Sequence, residues 1–269
     1  MVRVECLGLD RLGSSDEGAV LIEIEKLHKR YGTFTAVESL DLHVRKGEIF
    51  GFLGPNGAGK TTTIKILTGL LLPTSGTARI GGFDVIRQGA DAKRITSLIP
   101  DRPYLYEKLT PHEYLRFVSG LYRLDERESA RRAAMYLELF NLTDWKDELI
   151  EGFSHGMKQK VVMAGALLPR PSALIVDEPM VGLDPASAKL VKNLFAQLAR
   201  EGTTILLSTH TLEVAQKLCH RIGIIHRSRL VAVGTMEELK ARTEATSADL
   251  EEVFLALTGS RDTDVEAVP

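Results

Sequence analysis

Apolar and polar positions fall into strand and helix periods along most of the chain. In VLIEIEKL at 20–27, Leu21, Glu23 and Glu25 alternate against apolar neighbours, the pattern of a half-buried strand; AVESLDLHV at 36–44 is strand-prone too. EIFGFLG at 48–54 reads as a more buried strand. A glycine-rich turn follows, then a helical pattern through Ile64, Leu67 and Leu71. ITSLIP at 95–100 predicts another core strand and DRPYLYEKL an exposed connection. Thr110, Pro111 and Glu113 occupy the cap, first and third positions of a helix start. From 110 to about 168 the chain reads as mostly helical, with Ala130, Ala133, Ala134 and Leu137 forming one stripe.

Alternation of strand and helix then returns. ALIVD at 173–177 is a short buried strand ending in an acid. A helix over 184–199 has Asp184 as its cap and Pro185 at its start, and TTILLSTH at 203–210 is a strand with its exit loop. A helix through Leu212, Ala215 and Cys219 and a strand, polar turn and strand over 221–234 complete the series. A last helix begins at Asp249, with Glu252 at its third position, and SRDTDVEAVP reads as a mobile tail. Such alternation predicts an α/β core with polar residues collected at strand ends.

Composition narrows the class. The 269 residues carry 34 Lys+Arg against 36 Asp+Glu and are 44% hydrophobic, which excludes collagen-like, disulfide-framework and highly charged disordered chains. Cys6 and Cys219 suit reduced thiols. The first ten residues hold no apolar core of signal-peptide length, and VVMAGALL at 161–168 is far short of the roughly 20 residues that cross a bilayer. Membrane association is therefore expected through a partner. Residues 1–236 contain 31 basic and 27 acidic residues, whereas 237–269 contain 3 and 9. That acidic end reads as a solvated tail or a regulatory contact, and nothing calls for nucleic acid.

The densest chemistry is Gly54-Pro55-Asn56-Gly57-Ala58-Gly59-Lys60-Thr61, a full G-x-x-x-x-G-K-[ST] match between a strand and a helix, with Thr62 next. Glycines permit a backbone cradle whose N–H groups face phosphate oxygens; Lys60 reaches the β and γ phosphates, and the Thr61 hydroxyl can ligate Mg²⁺. Asp177 ends an apolar run, where its carboxylate can meet Mg²⁺, and Glu178 follows as a base for attacking water. His210, after another strand-like run, can hold the γ phosphate or position Glu178.

Together with LIVDEP, these motifs resemble the nucleotide-binding domain of an ABC transporter, over roughly residues 20–234. Phe153-Ser154-His155-Gly156-Met157 looks like a divergent form of that family's LSGGQ motif; Ser154 and Gly156 match, whereas His155 and Met157 replace its first glycine and its glutamine. VGLD at 181–184 and STH at 208–210 match the D-loop and switch-histidine regions. SHGMKQK is similar to the form found in ATPase subunits of bacterial ABC-2 type exporters.

The resemblance implies a P-loop NTPase core with a small antiparallel β subdomain and an inserted α-helical subdomain. It implies a division into an extension at 1–19, the nucleotide-binding domain at 20–236 with helical subdomain at about 102–168, and an acidic helix and tail at 237–269. It further implies ATP and Mg²⁺ as ligands, Tyr31 stacked on adenine, and a head-to-tail dimer with a second nucleotide-binding subunit. There Ser154 and Gly156 of one copy would face ATP held by Lys60 of the other, and Asp184 would contribute across the interface. A separate transmembrane permease would place the protein on the cytoplasmic face of the membrane. Where relatives carry Gln, this chain has Asp101, which can ligate Mg²⁺ or its water yet lacks an amide donor; its role stays open. A non-transport regulatory module using ATP-dependent dimerisation is the alternative.

Overall fold

The computed structural model describes residues 18–243 and 249–259. Cys6, nearly all of the expected N-terminal extension and the tail at 260–269 lie outside them. Among the described residues, ten strands form two sheets. β1 (Val20–Tyr31) and β2 (Phe34–Arg45) make a long hairpin, joined antiparallel by β4 (Ser75–Ile80) and the short β5 (Phe83–Asp84), in the order β2-β1-β4-β5. The hairpin extends beyond the two expected strands, to a Tyr31–Phe34 pair across a two-residue turn with Gly32 at φ 56°.

The second sheet has β3 (Ile49–Leu53), β6 (Thr96–Ile99), β7 (Ala173–Asp177), β8 (Thr204–Thr209), β9 (Arg221–His226) and β10 (Arg229–Gly234), in the order β10-β9-β3-β8-β7-β6. All its pairings are parallel except β9 with β10.

Strands of this sheet are buried on both faces, which is why they read as continuous apolar runs. Alternate side chains feed two cores. Phe50, Phe52, Ile175 and Leu206 pack with α1 (Lys60–Leu67) and the antiparallel sheet. Ile49, Leu174, Val176, Ile205 and Leu207 face α3 (Pro111–Leu121), α4 (Glu126–Leu139), α5 (His155–Leu167) and α6 (Pro185–Arg200). The expected start at Thr110 is present as a full capping box with Glu113. Helix over 110–168 is interrupted at 122–125 and 140–154, where 3-10 turns at 143–145 and 150–152 intervene. A short α2 (Gly89–Arg94), together with β4 and β5, fills a stretch to which the apolar pattern assigns no element.

At the far end α7 (Leu212–Leu218), α8 (Met236–Ala241) and α9 (Leu250–Thr258) close a third cluster in which Leu239, Leu250 and Val253 are fully buried beside Leu53. The acidic stretch is thus docked rather than solvated over these residues. A boundary at 236 cuts α8, whose capping box begins at Thr235. No helix among the described residues is long and apolar enough to cross a membrane.

Candidate active site

Strand register assembles the site. Leu53 of β3 pairs with Thr209 of β8, Ser208 of β8 with Asp177 of β7, and Val176 of β7 with Ile99 of β6. The parallel strands end on one side, so Gly54, His210, Glu178 and Asp101 emerge along a single edge, where open α/β sheets bind ligands. α1 starts from that edge with Gly59 as its cap and no side-chain cap bond, so no capping side chain competes for the N–H groups of its first turn.

Two glycines of the turn are required by space. A Cβ on Gly54 would lie 2.3 Å from the Ile225 carbonyl oxygen, and one on Gly59, at φ 111°, 2.3 Å from that of Ala36. Lys60 is 6% exposed and its ammonium is held by the carbonyls of Gly54 at 2.6 Å and Pro55 at 3.2 Å. Burial pushes its pKa below the usual lysine range, against the opposing influence of Glu178 and Asp177.

Asp177 is 3% exposed and accepts from the hydroxyls of Ser208 and Thr61. Burial raises its pKa above the usual aspartate range, the two hydroxyl bonds oppose this, and the charges of Asp101 and Glu178 add to the rise. Glu178 accepts from Thr209 Oγ1 at 3.2 Å, and its Oε1 lies 2.8 Å from His210 Nδ1. With Glu178 as a carboxylate, which has no proton to give, the bond requires the proton on Nδ1 of His210. The Glu178 backbone is left-handed, at φ 48°, a strain of about 1–3 kcal/mol for a residue with a side chain, and its N–H is held by the Ser208 carbonyl at 3.1 Å.

A cleft of about 260 Å³ is lined by Tyr31, Phe34, Ala36, Asn56, Gly57, Gly59, Lys60, Thr61, Thr62, Asp101, Asp177 and Glu178. Tyr31 and Phe34 are exposed at its rim, with Lys29 Nζ 4.9 Å from the Tyr31 ring centre. Ala58 is buried behind the loop. Among the described residues no three His, Cys, Asp or Glu side chains cluster into a metal cage. Thr61 and Asp177, with Asp101 beside them, instead offer the small oxygen set that suits a Mg²⁺ whose shell is completed by phosphate oxygens and water.

Ser154, Gly156 and Asp184 are absent from that cleft. Ser154 caps α5 through the Met157 N–H at 3.3 Å, and Asp184 caps α6 through the Ala186 and Ser187 N–H groups at 3.0 Å. The Ser187 hydroxyl bond holds the Asp184 pKa below the usual range. The two segments touch: a Cβ on Gly182, at φ 77°, would lie 2.3 Å from His155 Cδ2, and one on Gly156 would lie 3.0 Å from the Gly182 carbonyl oxygen. A larger cleft, of about 570 Å³, separates the core from the helical region and shares Thr61, Asp101 and Asp177 with the first.

Sequence reasoning assigns no separate task to Ser208, Thr209 or Phe34. The first two are visible only as neighbours of His210, while Phe34 depends on the hairpin register.

A family model described as ABC transporter matches residues 37–181. The linearmycin resistance ATP-binding protein LnrL of Bacillus subtilis is 38% identical over 241 residues, covering 87% of this chain and 78% of that protein. The daunorubicin/doxorubicin resistance ATP-binding protein DrrA of Streptomyces peucetius is 36% identical over 261 residues, covering 92% and 79%. A solved ATP-binding subunit of an ABC transporter superposes with a TM-score of 0.84 at 35% identity, covering 88% of this chain and 99% of that one. With its phosphate loop, strand-end acids and capped helix starts in this order, the chain belongs to the ABC transporter family, among its ATP-binding proteins.

Proposed function

We propose that this protein hydrolyses Mg²⁺-bound ATP and couples the reaction to a separate membrane permease that exports a hydrophobic compound. The observation that carries the reading is Glu178, held at the cleft by Thr209 and His210 beside Lys60 and Asp177. Resistance to linearmycin and to daunorubicin or doxorubicin, named for the two relatives, favours export over a regulatory module.

On ATP binding the Lys60 ammonium exchanges the Gly54 and Pro55 carbonyls for oxygens of the β and γ phosphates, and N–H groups at the start of α1 meet the same anion. Thr61 and Asp177, with Asp101 near them, would hold Mg²⁺, which when bound would supply positive charge beside the phosphate oxygens. Glu178 accepts the proton of the attacking water. Thr209 and His210 fix the direction in which its carboxylate points. Tyr31, exposed at the cleft rim, would stack on the adenine.

Ser154, Gly156 and Asp184 lie outside the cleft around Lys60, which supports a task at a second copy's nucleotide, in a head-to-tail dimer. Closure on ATP and reopening after hydrolysis would move the helical regions, and with them the permease, from the cytoplasmic side. Reconstitution with a candidate permease tests this. ATP turnover and directional substrate movement should appear together and stop together in Lys60→Ala; turnover without movement overturns the transport reading.

A further inference from the structure

The loop bearing Asp101 is fastened to the helical region. Pro100 follows Ile99 at the end of β6 and has no N–H to continue the ladder. Its carbonyl instead accepts from Gln159 Nε2 of α5 at 3.2 Å. Gln159 has no exposed surface and lies in a helix whose other buried members include Val161, Val162 and Met163. Its Oε1 is buried without a donor. One residue earlier, Lys158 Nζ reaches Glu107 Oε1 at 2.7 Å, farther along the same loop. Two consecutive side chains of α5 therefore grip the segment on both sides of its exposed bend.

Packing alone does not call for an amide here. A buried acceptor left unmet costs more than a single neutral bond returns, so an apolar side chain of the same length would serve the core at least as well. What Gln159 adds is position. The helix that ends in Ser154 and Gly156 is tied, about 7.5 Å along its axis, to the backbone next to a carboxylate lining the cleft of Lys60 and Asp177.

We infer that Gln159 is a positioning residue that makes Asp101 move with α5, so that displacement of the Ser154–Gly156 stretch resets the carboxylate beside the phosphate and metal end of the cleft. This rests on the ATPase reading above. It extends that reading by naming the side chain that fastens this loop to α5.

The test is Gln159→Met in the full chain, which keeps length and removes both the donor and the orphaned acceptor. The thermal midpoint should hold, and affinity for metal-free ATP should stay within about twofold, because the nucleotide's own contacts are untouched. kcat should fall about tenfold from the misplaced carboxylate. Mn²⁺ affinity, read by electron paramagnetic resonance on the ATP-loaded chain in a Glu178→Gln background, should weaken about tenfold. Adding Asp101→Asn to Gln159→Met should then change Mn²⁺ affinity by less than about twofold, whereas Asp101→Asn alone weakens it clearly; effects that multiply mean the two residues act independently and overturn the inference. Unchanged kcat and Mn²⁺ affinity in Gln159→Met also overturn it. If that variant does not fold, the surface change Glu107→Ala must shift Mn²⁺ affinity in the same direction, and no shift refutes the link. A wild-type chain without ATP turnover would sink the hydrolytic reading while the Mn²⁺ comparison still decides this one.

Discussion

Replacing Glu178 with Gln separates chemistry from scaffolding at one side chain. The glutamine has nearly the same shape and meets the same left-handed backbone, so the strain at φ 48° is common to both proteins. What changes is the number of acceptors. The carboxylate takes a bond from Thr209 Oγ1 and one from His210 Nδ1, whereas an amide has one oxygen to offer and must turn its NH₂ toward the other partner. Demoting one charge-assisted bond to an ordinary one removes about 1 kcal/mol, which lowers the thermal midpoint by about 2–4 °C in a chain of this size. Loss of the base is larger: a general base contributes roughly 10²–10⁴ in rate, or about 3–5 kcal/mol of barrier. ATP affinity should hold or improve, because a negative charge facing the triphosphate is gone. Phosphate release at saturating ATP, equilibrium ATP binding and a thermal scan read the three quantities. A kcat within about threefold of wild type, alongside the small drop in thermal midpoint, would refute the assignment of Glu178 as base.

Gly182→Ala should drive a Cβ into the His155 ring and strain a left-handed backbone; ATP turnover should fall about tenfold or more with ATP affinity of the isolated subunit unchanged, and adding His155→Gly should restore part of the loss. Burial pushes the Cys219 thiol up to about 12, so alkylation at that residue, followed by mass spectrometry at pH 8, should run about 10³-fold slower in the folded than in the unfolded chain. The same shift makes stability fall as pH rises from the unfolded thiol value of about 8.5 toward the folded value, by about 2 kcal/mol at pH 10; Cys219→Ala should flatten that part of the alkaline limb in denaturant titrations. Leu250→Ala, at a fully buried position, should cost about 2–5 kcal/mol in the same titrations, and a loss below about 1 kcal/mol would mean that α9 is not docked.

Features written in neighbouring residues were the legible ones. Gly54 to Thr62 carry their chemistry in consecutive positions, and Asp177 is marked by the apolar run it ends. Thr110 with Glu113, and Asp184 with Pro185, state two helix starts locally. The antiparallel sheet beyond its hairpin was not legible, because in β4 only Ala78 and Ile80 are buried apolar residues and the strand offers little apolar signal. Contacts between distant segments were invisible for another reason. Gln159 meets Pro100 across 59 positions, and His155 meets Gly182 only after α5 and the loop before α6 are packed. Serine and threonine hydroxyls such as those of Ser208 and Thr209 gain meaning only from strand register, which periodicity cannot supply.

Lys60 rests buried against its own turn. Its ammonium is buried, and the two oxygens that hold it belong to the turn that, on the proposed reading, wraps the triphosphate. Much of the dehydration penalty of a cation is therefore met during folding, and on that reading ATP swaps neutral oxygens for charged ones at a group already stripped of water. The ammonium also bridges two carbonyls of the turn, filling space that the anion would take over. Recognition at this end of the molecule is closer to replacing a spacer than to building a pocket.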